Sequence, residues 1–188
     1  MANVQHNALT GSELHEPKGA DNASDGQVFI ADGQGSGSFA YPDFQFGEIY
    51  TQISDAATLS TIGTTAQTFP FSNDGSSNTA VNSSANNKIT LTTAGIYQVT
   101  FTVSFSTSAA GDAGEYIFIV QVGGSDTEHE AVVDMSGTDD MVSVVINGLV
   151  TATAAQDLTV TVESDEAGNT DDIVIKNATL TAVLVKRT

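Results

Sequence analysis

From residue 97 to 105, Tyr97, Val99, Phe101, Val103 and Phe105 alternate with Gln98, Thr100, Thr102 and Ser104. Successive side chains of an extended strand point to opposite faces, so this pattern puts all the aromatic and branched apolar groups on one side and only polar groups on the other. A helix would scatter the same residues around its circumference. A strand with one apolar face needs a second layer to cover it, which makes a β-sandwich or barrel the natural setting.

The rest of 47–188 repeats the theme. GEIYTQIS (47–54) reads as a strand, and TFPF (68–71) as a short edge strand, because Pro70 cannot donate to a ladder. EYIFIVQV (115–122) is almost continuously apolar, which predicts cover on both faces. The acidic stretch GGSDTEHE (123–130) reads as a loop leading into AVVDM (131–135). MVSVVINGLVTAT (141–153) places Val142, Val144, Ile146, Val150 and Ala152 on one face, and QDLTVTVES (156–164) does the same with Leu158, Val160 and Val162. IVIKNATLTAVLVK (173–186) closes the domain as two short strands or one strand bent near Lys176 and Asn177. No segment has helical spacing, and no fixed-period repeat is evident. The expected class is all-β, a jelly-roll sandwich over 47–188.

Residues 1–46 differ. They are rich in Gly, Asp, Asn and Ser, carry Pro17 and Pro42, and show one strand signal, QVFI (27–30), ahead of the glycine run ADGQGSGS. A cluster of Phe39, Tyr41, Phe44 and Phe46 follows. Too little is apolar for an independent core, so the segment reads either as disordered or as an arm that orders on another protein.

Charge excludes whole classes of partner. Five Lys and Arg face 23 Asp and Glu, a formal charge of −18. Such a chain is repelled by phosphate backbones and by anionic lipid surfaces, so neither nucleic acid nor membrane is an expected partner. Cysteine is absent, which removes disulfides, thiolate metal sites and Cys nucleophiles. The N-terminal stretch has neither a basic segment nor an apolar run, so no secretory leader is read there. Synthesis in a cytosol and release by lysis are the expectation.

Little in the chain supports catalysis. His6 and His15 lie in the glycine-rich arm, and His129 stands between Glu128 and Glu130. No nucleophile-elbow signature accompanies the many serines. The G-x-G-x-G of 33–37 precedes no helix, so it reads as a hinge rather than a phosphate loop. The chain is expected not to be an enzyme and to need no cofactor. The acidic groups Asp126, Glu128, Glu130 and Asp134, and Asp165, Glu166, Asp171 and Asp172, lack the spacing of an EF-hand loop. They read as solvated turns. The sharper alternative is calcium at a subunit junction, with Asp126, Glu128 and Glu130 as the candidate ligands.

ITLTTAGIYQVTFTVSFS (89–106), with Ile89 and Leu91, then Ala94, Gly95 and Tyr97, then the alternating strand, resembles the core strands of the trimeric jelly rolls of the tumour necrosis factor and complement globular-head superfamily. VVINGLVTATAAQDLTVTV (144–162) and ATLTAVLVK (178–186) are similar to that family's later strands. The resemblance covers roughly 47–188 and implies a homotrimer whose axis is lined by aromatic and aliphatic residues. Because 115–122 is more apolar than one interior requires, Tyr116 or Phe118 is assigned to a subunit interface, with ordinary monomer core as the open alternative.

The arm is similar to N-terminal segments of tailed-bacteriophage virion proteins. The residues that carry this are His6, Leu9, Thr10, Gly11, Leu14, His15, Glu16, Pro17, Lys18 and Gly19, then Gly26, Val28, Ala31, Asp32, Gly33, Gly35, Ser36, Gly37 and Phe39. The resemblance implies a virion structural protein, a trimeric head fibre, decoration or cement protein on the capsid surface. Its arm would hold the major capsid protein or another virion protein through His6, Leu9, Leu14, His15, Glu16, Pro17, Lys18, Val28 and Phe29. A tail-fibre or receptor-binding tip is the second expectation, with loops 72–87, 107–114 and 123–130 carrying recognition. A cell-made adhesion or signalling ligand is the third.

Overall fold

In the computed structural model, residues 23–25, 27–31, 37–40, 44–107, 114–135, 141–165 and 171–188 are described. The chain divides into two units, Met1–Asp43 and Phe44–Thr188.

Within the first unit, β1 (Val28–Ala31) and β2 (Gly37–Ala40) form an antiparallel hairpin, with Phe29 opposite Phe39 and Ile30 opposite Ser38. The predicted QVFI strand is present, shifted by one residue. Its partner GSFA carried no strand signal beyond Phe39, since a glycine-rich run offers no alternation to read. The two phenyl rings meet edge to face at 5.4 Å. A Cβ on Gly37 would lie 2.7 Å from Phe29 Cζ, so glycine lets that ring lie across the hairpin.

The second unit contains β3 (Phe46–Thr51), β4 (Ala57–Ile62), β5 (Gln67–Thr68), β6 (Asn73–Asp74), β7 (Val81–Ser83), β8 (Lys88–Leu91), β9 (Gly95–Thr107), β10 (Gly114–Val122), β11 (Ser125–Met135), β12 (Met141–Ala152), β13 (Gln156–Ser164) and β14 (Asp171–Arg187). They form two antiparallel sheets. One runs β11-β10-β13-β8-β7 with β5 also on β13, and the other runs β12-β9-β14-β3-β6 with β4 also on β14. The chain changes sheets at each step from β4 to β7 and from β8 to β10, and again between β11 and β12, β12 and β13, and β13 and β14. This is a jelly-roll sandwich.

The alternating strand is the centre of the core. Tyr97, Phe101 and Phe105 of β9 point inward from one sheet, and Tyr116 and Phe118 of β10 meet them from the other. Phe105 lies 5.3 Å from Phe118, and Phe69 lies 5.2 Å from Phe101. These aromatic contacts replace the absent tryptophan as the large apolar contribution. Phe69 comes from the predicted TFPF strand, which pairs only over Gln67–Thr68 and then delivers Phe69 and Phe71 into the interior around Pro70.

Two expectations need correction. The acidic stretch 123–130 is not a loop: Gly123 and Gly124, at φ +61° and +77°, make a two-residue turn, and β11 starts at Ser125. Two positive-φ residues match the twist of a hairpin, and alternate carboxylates are harmless on an edge strand whose one face is wet. The apolar run of β10 is not covered on both faces, because Ile117 and Ile119 are only half-buried on the outer side. Of the two forms expected for the closing segment, the structure has the second, a single strand with a bulge between Ile175 and Asn177.

One buried polar knot ties the start of the sandwich to its core. The Tyr97 hydroxyl donates to the Thr93 carbonyl at 2.7 Å and lies 3.2 Å from Gln45 Oε1, while Gln45 Nε2 donates to Thr93 Oγ1. Burial raises the Tyr97 phenol above its ordinary pKa, opposed by the bond to Thr93. The Gln45 carbonyl accepts from Leu184 N–H at 2.8 Å, so residue 45 is held before β3 begins.

Candidate interaction surfaces

The pleat gives each sheet an inner and an outer face, and the two outer faces have opposite chemistry. On the β11-β10-β13 side, Glu115 pairs with Asp134, Ile117 with Val132, Ile119 with Glu130 and Gln121 with Asp126, while Glu163 stands beside Ile117. This face is acidic, with Ile117, Ile119 and exposed Val132 at its middle. Its cation, Lys88, is engaged: Nζ donates to Asp157 Oδ2 at 2.8 Å, and Thr90 Oγ1 donates to Oδ1 at 2.6 Å. Desolvation pushes the Asp157 carboxyl up, but the bonds from Lys88 and Thr90 and the charge of Lys88 outweigh it and hold the group below the usual aspartate range.

On the other side, three cross-strand rows run over β12, β9, β14 and β3. They are Leu149–Gln98–Val183–Phe46, Asn147–Thr100–Thr181–Glu48 and Val145–Thr102–Thr179–Tyr50. Glu48, on the outermost of these strands, is the single charged group among them. Val145, Leu149 and Val183 are 64%, 57% and 42% exposed. Depletion of charge with apolar groups left in water is the composition of a protein-binding surface. It could have been read in the sequence from the uncharged alternate positions of β9 and from the out-of-phase Val145 and Leu149.

His129 joins the edges of the two sheets. A carbonyl only accepts, so Nε2 carries the proton and donates to the Leu149 oxygen at 2.9 Å. The ring lies directly on Gly148, where a Cβ would come within 2.3 Å of it. The histidine singled out for its acidic neighbours therefore acts on the backbone of β12, beneath Leu149.

The predicted site residues distribute as follows. Tyr116 and Phe118 are fully buried inside the protomer, so they offer no surface to a second copy, and the apolar excess of β10 goes to its own core. Asp126, Glu128 and Glu130 are strung along β11 through a bulge rather than gathered, and Asp126 accepts from Gln121 Nε2 at 2.8 Å. Among the described residues no three His, Asp or Glu side chains are grouped to hold a metal. Val28 and Phe29 lie on β1, 46% and 42% exposed. His6, Leu9, Leu14, His15, Glu16, Pro17 and Lys18 lie outside the described residues.

No protein-family model matches the sequence, and no curated protein matches it. Solved structures do match the shape. The globular domain of zebrafish complement 1qA is similar with a TM-score of 0.51 at 12% identity, over 77% of this chain and 98% of that one. The Eiger TNF of S. frugiperda is similar with a TM-score of 0.57 at 9% identity, over 78% of this chain and 96% of that one. At such identities the likeness speaks for the fold: the chain carries a jelly roll of the C1q/TNF type.

Proposed function

We propose that this chain is a homotrimeric structural protein of a virus particle, a head fibre or decoration protein whose sandwich projects outward and whose N-terminal arm attaches to the capsid. The observation that carries the self-association is the outer face of the β12-β9-β14-β3 sheet, where Glu48 is the single charged group of the three central rows. Copies of a chain with charge −18 repel one another over acidic surface and can approach closely where charge is absent. A closed ring of three buries one such face per copy. The likeness to C1q and TNF domains supports the same reading. Attachment rests on the arm's similarity to phage virion segments, with His6, Leu9, Leu14, His15, Glu16, Pro17 and Lys18 as the contact residues. Three weak arm contacts on one trimer multiply by avidity. The acidic sheet would face outward and keep particles apart. Its work is binding, with no chemical step.

The test is the solution mass of the full chain by light scattering, followed by co-sedimentation with capsids of the parent phage that lack the protein. A trimer that pellets with capsids is the expected result. A monomer at all concentrations overturns the self-association. A trimer that binds purified tails and not capsids overturns the head assignment in favour of a tail fibre.

A further inference from the structure

Besides the nearly uncharged sheet face, the described residues contain a surface with no charged side chain at all. The β1–β2 hairpin carries no charged side chain on either strand. Phe29 and Phe39 cover one of its faces, while Val28 and Ile30, each 46% exposed, lie on the other beside Ser38. A two-stranded hairpin is marginal in water by itself, and one with apolar groups on both faces needs cover. Its tether shows what is within reach. The sandwich begins at Phe46, whose side chain belongs to the Leu149–Gln98–Val183–Phe46 row of the neutral face. From Ala40 to Phe46 the chain spans at most roughly 20 Å when fully extended. Hairpins of associated copies are thus tethered at an effective concentration on the order of millimolar. Each is uncharged where the rest of the chain is acidic.

Resting on the self-association reading, we infer that the Val28–Ala31/Gly37–Ala40 hairpins of neighbouring copies pack against one another through Val28 and Ile30, forming an apolar collar between the sandwich trimer and the anchoring residues that precede it. The partner of this surface is a second copy of the same hairpin. The collar would brace the trimer and leave residues 6–18 to hold the capsid.

The absence of cysteine makes the test clean. Ser38→Cys in the full chain puts one thiol per copy on the Val28/Ile30 face, and a short bis-maleimide is the probe. The expected result is pairs of chains linked within one trimer, in a fraction unchanged by tenfold dilution. Adding Ile30→Asp should remove the linking while light scattering still reports a trimer. A chain that stays trimeric but does not link, or links in proportion to its concentration, overturns the inference and leaves the hairpin to the capsid. A chain that is monomeric throughout overturns the self-association reading as well, and the mass measured on the same sample separates the two failures.

Discussion

The two outer faces of this sandwich come from strands of the same construction and are chemically opposite. β10 and β11 alternate aromatic or aliphatic residues inward with Glu115, Asp126, Glu130 and Asp134 outward. β9, β12 and β14 alternate similar residues inward with Thr, Ser, Asn, Gln and Val outward. Folding needs only the inward half of each pattern, because a solvated face tolerates carboxylates and hydroxyls alike. The outward half is free for another use, and here the charge is segregated. A solubility coat alone would spread acidic groups over both faces. The difference points to one face meant for water and one meant for contact.

Substitutions can break or sharpen that contrast. The largest effect belongs to neither face. Phe118→Ala opens the shared core and should cost about 3–5 kcal/mol, lowering Tm by roughly 10 °C in thermal unfolding followed by circular dichroism. If Phe118 instead lay at an interface, the loss would appear mainly as a lower oligomer mass in a chain that still folds. On the neutral face, Val145→Asp should raise the protein concentration at which the assembly dissociates by a hundredfold or more, since a charge buried without a partner costs about 3 kcal/mol or more. Far-ultraviolet circular dichroism should stay unchanged, and a folded variant with unaltered mass would remove this face from the interface.

Where the faces meet at the sheet edges, Gly148→Ala pushes a methyl into the His129 ring. The expected cost is about 1–3 kcal/mol in chemical denaturation, with much of it recovered in Gly148→Ala/His129→Ala. On the acidic face the effects shrink. Asp157→Asn removes an ion pair that is partly open to solvent and should cost under about 1 kcal/mol. Because the folded state holds that carboxyl below its unfolded value, its contribution is present at neutral pH and fades as pH falls through and below the ordinary aspartate range. The variant and the parent should therefore converge in stability in acid. Glu130→Gln should change neither mass nor stability by more than about 0.5 kcal/mol; a large loss of either would give the acidic face a structural part it is not assigned here.

The fold was legible where one physical signal dominated. The alternation in β9, β12 and β13 named their buried residues directly: Tyr97 to Phe105, then Val144, Ile146, Val150 and Ala152, then Leu158, Val160 and Val162. The signal was weaker where two causes produce the same letters. The unbroken apolar run 116–120 of β10 looks the same whether a second layer covers it or two isoleucines sit half-exposed on an acidic face. The stretch 123–130 reads as loop by composition, because hydrophilicity marks turns and edge strands alike. β4, β6 and β7 are too short and too polar to stand out, and they pair only because β14, β3 and β8 offer them edges. Among the site residues, Val28 and Phe29 were placed on a strand that exists, whereas Tyr116 and Phe118 were assigned outward from an excess that the core absorbs.

By itself the sequence determined the periodicity of each strand, the all-β class, the composition boundary near residue 46 and the excess of negative charge, since these depend on neighbours along the chain. Only the tertiary structure decided which uncharged positions become one surface. Leu149, Gln98, Val183 and Phe46 are far apart in sequence and form a row solely because strand pairing sets their register. Register is a property of pairs of strands, and a side chain's face is defined only once its partner strand is in place.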